Sequence, residues 1–186
     1  MLSLSDIRLG TVLTIDGNPY QVVSTQHVKV ARGGATLRTK MKNLITGATL
    51  EKSFSGADKV EAADLSHNST NYLYQQEDRL FFMDNENFEQ YEFPVADLGD
   101  MPKYLKDGET VDVLLHNSKA VSVQLPKKVT LTVVSAPPGV RGDTSGGATK
   151  TVVMETGLEL RVPLFIKEGE KLTINTETGD YVERAG

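Results

Sequence analysis

Short apolar segments, separated at close intervals by glycine and proline, are the feature that most restricts the fold of this chain. The 186 residues include 16 Gly and 7 Pro, and the segments between them are β-branched or alternate polar with apolar side chains, which is typical of strands bounded by turns. Helical periodicity is confined to residues 93–98 and 102–105, too short for a layer of the fold. The pattern predicts an all-β chain, with strands at residues 11–15, 21–23, 37–44, 79–83, 111–116, 121–125, 129–134, 151–154, 158–162 and 172–175.

Charge is distributed unevenly along the chain, whose net charge is −5. Residues 1–63 contain 8 basic and 5 acidic residues, residues 64–126 contain 4 and 12, and residues 127–186 contain 8 and 8. Strand-rich segments of this size suit small five-stranded barrels of the SH3-like or oligonucleotide-binding (OB) kind. We therefore predict three domains: an SH3-like domain with a basic hairpin (1–63), an acidic OB-fold domain (64–126) and a second OB-fold domain (127–186).

Several classes of function lack support in the composition. The chain has no cysteine, so disulfides, thiol catalysis and thiolate metal sites are excluded. No apolar run approaches the roughly 20 residues that span a bilayer, and residues 1–6 do not resemble a signal peptide, so we expect a cytoplasmic protein without membrane contact. We also expect no cofactor, no metal and no enzymatic activity: the three histidines are widely spaced, residues 142–147 lack the lysine of a phosphate loop, and the carboxylates between Asp84 and Glu92 indicate a solvated face.

Residues 21–44 form a predicted hairpin with Arg32 near its tip. Gly33 and Gly34 follow, and glycine tolerates the positive φ angles of a tight reversal. Beyond the tip, period-2 alternation places cationic and apolar side chains on opposite faces of the strand. The cationic face contains Arg38, Lys40 and Lys42; the other contains Leu37, Thr39 and Met41.

This cationic face has two interpretations. Together with Lys29 and Arg32 it could neutralise several phosphates and bind RNA in a salt-dependent manner. Alternatively it is a solvated strand face, on which lysine commonly protects an edge. Arg32 likewise either projects into a pocket of another molecule or lies in an ordinary exposed turn.

Several motifs in a fixed order resemble the bacterial elongation factor P family over essentially the whole chain. The main one is residues 150–169 (KTVVMETGLELRVPLFIKEG), whose Gly, Val-Pro and final Gly have the spacing of the family signature. The supporting matches are residues 43–47 (NLITG), 51–54 (EKSF), 72–74 (YLY), 82–84 (FMD), 138–144 (PGVRGDT) and 179–182 (GDYV).

The resemblance implies a KOW-like (SH3-like) domain and two OB-fold domains in an L shape. It also implies a monomer that contacts both ribosomal subunits between the peptidyl and exit sites, beside peptidyl-tRNA. The implied activity is relief of stalling at consecutive prolines, with the Arg32 tip reaching the peptidyl-transferase centre. The implied contact residues are Lys29, Gly33, Gly34, Arg38, Lys40 and Lys42 for tRNA and rRNA, Gly142, Asp143, Thr144 and Ser145 for the small-subunit exit site, and Tyr181 and Arg184 for tRNA.

Two departures from the family pattern bear on subfamily and modification. The best-known branch has a tip lysine after Pro-Gly, whereas Val30 and Ala31 precede Arg32 here, which excludes a lysine-directed extension. Another branch carries a rhamnosylated arginine at this place, so an arginine-modifying glycosyltransferase is a hypothetical partner. Val152 stands where the signature usually has alanine. The alternatives are an elongation factor P-like paralogue, which has a similar Ala-Arg tip, and a general RNA-binding OB-fold module without polyproline activity.

Overall fold

The computed structural model describes the backbone of residues 1–30, 33–138 and 148–186 and the side chains of residues 1–28, 35–138 and 148–186. The described residues form three five-stranded sheets and very little helix. The prediction of an all-β chain built from three small five-stranded units is therefore confirmed. The helical segments of the described residues are a single α-turn, α1 (Val95–Leu98), and two 3-10 turns (Leu4–Asp6 and Met101–Tyr104).

The first sheet encloses a core of aliphatic side chains that alternate with exposed ones along each strand. Leu13, Leu37 and Met41 are completely buried there, as the period-2 pattern of side chains in a strand requires. All pairings given for this sheet are antiparallel. Its strands, in the order β4-β3-β2-β1-β5, are β1 (Val12–Ile15), β2 (Asn18–Val30), β3 (Gly33–Asn43), β4 (Thr49–Ser55) and β5 (Glu61–Ala62).

The second sheet packs aromatic side chains into its interior. Phe82 is fully buried between Tyr72 and Phe93, with ring centroids 5.5 and 5.9 Å away, and burial of such a side chain contributes about 1.5–3 kcal/mol. Its strands, in the order β10-β9-β6-β7-β8, are β6 (Ser66–Gln76), β7 (Arg79–Asp84), β8 (Gln90–Pro94), β9 (Thr110–His116) and β10 (Lys119–Gln124).

The third sheet surrounds an aliphatic core. Val152, the departure from the family signature, is fully buried in this core beside Leu131 and Ile174, so the larger side chain fills interior volume. Its strands, in the order β13-β12-β11-β14-β15, are β11 (Lys128–Ser135), β12 (Thr149–Met154), β13 (Glu159–Pro163), β14 (Lys171–Asn175) and β15 (Tyr181–Arg184).

The pattern analysis missed five strands and shortened others. Strand β6 was missed because it is largely polar (SHNSTNYLYQQ) and only Thr70 and Tyr72 within it are buried. Strand β2 extends over 13 residues, whereas residues 21–23 were predicted. A polar stretch becomes a strand when neighbouring strands satisfy its backbone hydrogen bonds, and local sequence does not reveal those neighbours. The other missed strands are β4, β5, β8 and β15.

One turn design occurs once in each sheet. An Asn or Asp side chain accepts hydrogen bonds from the backbone N–H groups two and three residues later, which is the usual way in which these residues stabilise turns. The residue four positions later has a positive φ and donates its N–H to the carbonyl of the first residue. The three pairs are Asn43 with Gly47 (φ +74°), Asp84 with Phe88 (φ +62°) and Asn175 with Gly179 (φ +75°).

The chain separates into two compact units, residues 1–67 with 114–122 and residues 68–113 with 123–186. Within the second unit, the 3-10 turn Met101–Tyr104, which lies between α1 and β9 in the chain, contacts the C-terminal sheet. Tyr104 packs against the C-terminal core, and the Thr156 hydroxyl donates a hydrogen bond to the Lys103 carbonyl. Lys106 Nζ donates to the Thr130 carbonyl at 3.0 Å. The predicted boundaries before Asp64 and Lys127 stay predictions.

Candidate functional site

The β2–β3 hairpin carries most of the predicted contact residues. Strand β2 pairs with β1 only as far as Gln21, and β3 pairs with β4 as far as Thr36. Between Thr36 and the tip, the described part of the hairpin consists of β2 and β3 alone, which pair with each other up to Val30 and Gly33. A two-stranded segment therefore extends past the sheet, in the direction of the tip.

Alternation along β3 separates the two predicted faces. Leu37, Thr39 and Met41 are buried, and the Thr39 hydroxyl donates a hydrogen bond to the Lys52 carbonyl at 2.8 Å. Arg38 and Lys40 are exposed, while Lys42 is half-buried. Burial of the inner set fixes the register, because a shift by one residue would expose it to water. The outer set, Arg38, Lys40 and Lys42, is called the cationic face below.

Glu51 on β4 lies within this cationic face and changes its charge. It is opposite Lys40 in the strand register, but its carboxylate pairs with Arg38, whose Nη2 is 3.0 Å from Glu51 Oε2. Both side chains are more than half exposed, so solvent screens the pair. The sequence analysis missed this contact. The feature of the sequence that could have indicated it is the five-residue turn at residues 44–48, because the length of this turn sets the register that places Glu51 opposite Lys40.

A shallow depression of about 490 Å³ borders the same face. Its polar lining combines hydroxyl groups with both signs of charge, which suits hydrogen bonding to a phosphate or sugar. Lys52, at its edge, also lies over the ring of Phe54, with Nζ 5.5 Å from the centroid. Sequence reasoning did not select Lys52, although it follows Glu51 directly. The lining residues are Val28, Thr36, Arg38, Glu51, Lys52 and Ser53.

Several predicted contact residues lie wholly or partly outside the described residues. Arg32 and the loop residues Gly142, Asp143, Thr144 and Ser145 fall outside them entirely. For Lys29, Gly33 and Gly34 the structure describes only the backbone, which belongs to β2 and β3. Their roles stay predictions.

Tyr181 and Arg184 lie on β15, in the third sheet, and make local contacts. Tyr181 packs against the C-terminal core. Arg184 Nη1 is 3.0 Å from Glu170 Oε1. The pKa of Glu170 is lowered, first by the hydrogen bond that its carboxylate accepts from the Lys167 N–H and then by Arg184. Both predicted tRNA-facing residues thus have a structural role within this sheet.

Within residues 1–30, 33–138 and 148–186, no cluster of three or more His, Asp or Glu side chains has the arrangement needed to hold a metal ion. No helix in these described ranges has the length and apolar character of a membrane-crossing helix.

Three family models match successive segments of the chain. Residues 3–60 match the elongation factor P KOW-like domain, residues 65–123 match the elongation factor P OB domain, and residues 129–184 match the elongation factor P C-terminal domain. The chain belongs to the elongation factor P family. The elongation factor P of Moorella thermoacetica is 44% identical over 185 residues, covering 100% of both chains. Those of Acetivibrio thermocellus (42% over 184 residues, 99% of this chain and 100% of the relative) and Dictyoglomus turgidum (44% over 185 residues, 100% of both) are similarly close.

Membership of the elongation factor P family confirms four predictions. The family resemblance is correct, the first domain is KOW-like and the second is an OB domain. The chain is a translation elongation factor rather than an enzyme. A solved structure of eukaryotic translation initiation factor 5A from Methanococcus jannaschii aligns with TM-score 0.43 and 21% identity, over 67% of this chain and 90% of that one.

Proposed function

We propose that this elongation factor binds the ribosome between the peptidyl and exit sites and stimulates peptide-bond formation at consecutive prolines. The observation that carries the proposal is the 44% sequence identity, along the full length of both chains, to relatives named elongation factor P. The extension of the β2–β3 hairpin beyond its neighbouring strands adds support, because a narrow two-stranded ribbon suits a confined site such as the peptidyl-transferase centre.

The proposed mechanism is positional. Proline is a stiff and poorly reactive substrate, and a factor that holds peptidyl-tRNA in the attack geometry lowers the barrier without supplying a chemical group. Arg32 at the hairpin tip would contact the acceptor end, since a guanidinium is always charged and binds phosphate or stacks on bases. The cationic face would approach the tRNA backbone. The acidic central domain would face away from it, because like charges repel.

The loop at residues 142–145 would contact the small subunit near the exit site in this proposal, with Tyr181 and Arg184 nearer to the tRNA. The factor would act as a monomer in the cytoplasm. A glycosyltransferase that adds a deoxyhexose to Arg32 is a further proposed partner. Intact-mass and peptide mass spectrometry of the protein from its native cells tests that partner directly, because a deoxyhexose on the Arg32 peptide requires such an enzyme.

The test of the function is cell-free synthesis of two reporters, one with and one without consecutive prolines. We expect the Arg32→Ala variant to lose rescue of the proline reporter while leaving the other unchanged. The matched control is Arg161→Ala, which removes an exposed arginine on β13, in the third sheet. Full rescue by Arg32→Ala would contradict the tip-centred mechanism. Binding of RNA without rescue by the unmutated protein would favour the RNA-binding module instead.

A further inference from the structure

The central sheet carries an aromatic pair on its outward face, far along the chain from the basic hairpin. Tyr74 on β6 is directly opposite Phe81 on β7. Their ring centroids are 5.0 Å apart and the ring planes meet at 30°. Tyr74 is 46% exposed and Phe81 is partly exposed. An aromatic surface is therefore open to solvent.

A β-bulge creates this arrangement. Residues two apart in a regular strand point to the same side, yet Tyr72 is buried in the core while Tyr74 is exposed. The register shifts between these two residues, which leaves Leu73 as the extra residue, and such bulges redirect side chains. The barrel core is filled by Tyr72, Phe82 and Phe93, so the outward pair is additional to the core packing.

Acidic residues lie on the strand and in the turn next to the pair. Glu92 on β8 is opposite Phe81, and its carboxylate pairs with Arg79 at 2.7 Å. Glu77 and Asp78 form the exposed turn that joins β6 to β7. The 12 acidic and 4 basic residues of positions 64–126 give this part of the chain a net charge of −8. A polyanion is repelled by such a surface, whereas a polycation is attracted.

We propose that this outer aromatic face, formed by Tyr74, Phe81, Arg79 and Glu92, binds a basic segment of a protein partner. An arginine or lysine of the partner stacks on the exposed ring of Tyr74, where the negative quadrupole of the ring attracts a cation. Neighbouring cations of the segment pair with the carboxylates of Glu77 and Asp78 in the exposed turn, since the Glu92 carboxylate is already paired with Arg79. The charge of the domain selects a basic protein over a nucleic acid, although OB folds commonly offer strand faces to nucleic acids.

The test is a titration of the full-length, isotope-labelled protein, followed by two-dimensional NMR of its amide signals. The probe is a synthetic peptide of alternating arginine and glycine, blocked at both ends. We expect shifts centred on Tyr74, Phe81 and their strand neighbours. The Tyr74→Ser variant should weaken peptide binding about three- to tenfold through loss of the cation–π contact, while Tyr74→Phe should retain most of the affinity.

The control is Phe88→Ser, which removes a 70% exposed aromatic residue from the same acidic segment but from the β7–β8 turn. It should bind the peptide as the unmutated protein does. Equal weakening by both variants, or shifts centred on the β7–β8 turn, would show general charge attraction and overturn the proposal. Stronger shifts at Tyr74 with a single-stranded RNA of similar length would overturn it in favour of nucleic acid. Should Tyr74→Ser unfold, the shift map of the unmutated protein decides alone.

Discussion

Arg38 and Glu51 form an ion pair of 3.0 Å across β3 and β4, in the middle of the surface that carries the cationic side chains. Lys40, directly opposite Glu51 in the register, has no ion pair within the described part of the chain. The pair thus holds the Arg38 guanidinium on the sheet surface and cancels one of the charges available to a phosphate.

Removing the Glu51 charge should strengthen binding to the ribosome. Glu51→Gln frees Arg38, so we expect about two- to fivefold tighter binding near 50 mM salt and a smaller gain near 200 mM, since phosphate contacts weaken as salt rises. Stability should change by about 0.5 kcal/mol or less, as is usual for exposed pairs. Sedimentation with purified ribosomes measures the affinity. The control is Glu61→Gln, an equal charge change on β5; an equal gain in both variants would mean that only net charge matters.

Gly179 tests the contact between the β14–β15 turn and Tyr104. A Cβ at Gly179 would lie 3.0 Å from the Tyr104 hydroxyl, at a φ of +75°. We expect Gly179→Ala to destabilise its domain by about 1–2 kcal/mol from the left-handed backbone alone, and by more because of the crowding. Urea unfolding followed by NMR signals of each domain measures this.

The matched control for that substitution is Gly47→Ala. Gly47 has nearly the same φ, +74°, in the equivalent turn of the first sheet, but its Cβ would meet nothing within 4 Å. The Gly47 loss therefore measures the backbone strain by itself. If crowding by the Tyr104 hydroxyl causes the additional loss of stability, Gly179→Ala should lower the free energy of unfolding less in a Tyr104→Phe background. An unchanged loss in that background would refute the contact.

Phe88 occupies the position that glycine holds in the two equivalent turns. Its φ is +62° and its side chain is 70% exposed. Because a non-glycine residue pays about 1–2 kcal/mol for a left-handed backbone, we expect Phe88→Gly to raise the thermal stability, by about 1 kcal/mol in unfolding free energy. Phe88→Ala keeps the strained backbone and should show no gain. A gain of equal size in both variants would locate the strain in the ring rather than in the backbone.

Asp84 makes the free energy of unfolding of this protein depend on pH. Its pKa is lowered, first by the hydrogen bond from the Glu86 N–H and also by those from Asn68, Asn87 and Tyr91, against the effect of desolvation. A carboxyl whose folded-state pKa lies below its unfolded value of 3.8 stabilises the protein above that value. This stabilisation should be complete near neutral pH and disappear as the pH falls through the folded-state pKa.

The Asp84→Asn variant therefore should be less stable than the unmutated protein near neutral pH, with the gap closing in acid. Urea unfolding between about pH 3 and 7 measures the gap. Asp64→Asn serves as a comparison, since Asp64 is exposed. A gap that stays constant over the whole range would mean that the Asp84 hydrogen bonds do not require its charge.

Local rules explain why much of the fold could be predicted. Alternation along β3 separates Arg38 and Lys40 from Leu37 and Met41 because the direction of a side chain in a strand depends only on its position in the pleat. Short β-branched segments between turn residues predicted most of the β9, β11, β12 and β13 strands for the same reason. The family resemblance came from motifs that likewise lie within short stretches.

The sequence by itself determined the all-β class, the faces of β3 and the family. The tertiary structure decided the strand state of polar β6, the pairing of Glu51 with Arg38, the burial of Asp84 and the outward turn of Tyr74 at a bulge. Each of these depends on which segments become neighbours, since a bulge, a cross-strand ion pair or a buried carboxylate is defined by residues on another strand. Such neighbours are selected by the packing of the whole domain, which no local pattern encodes.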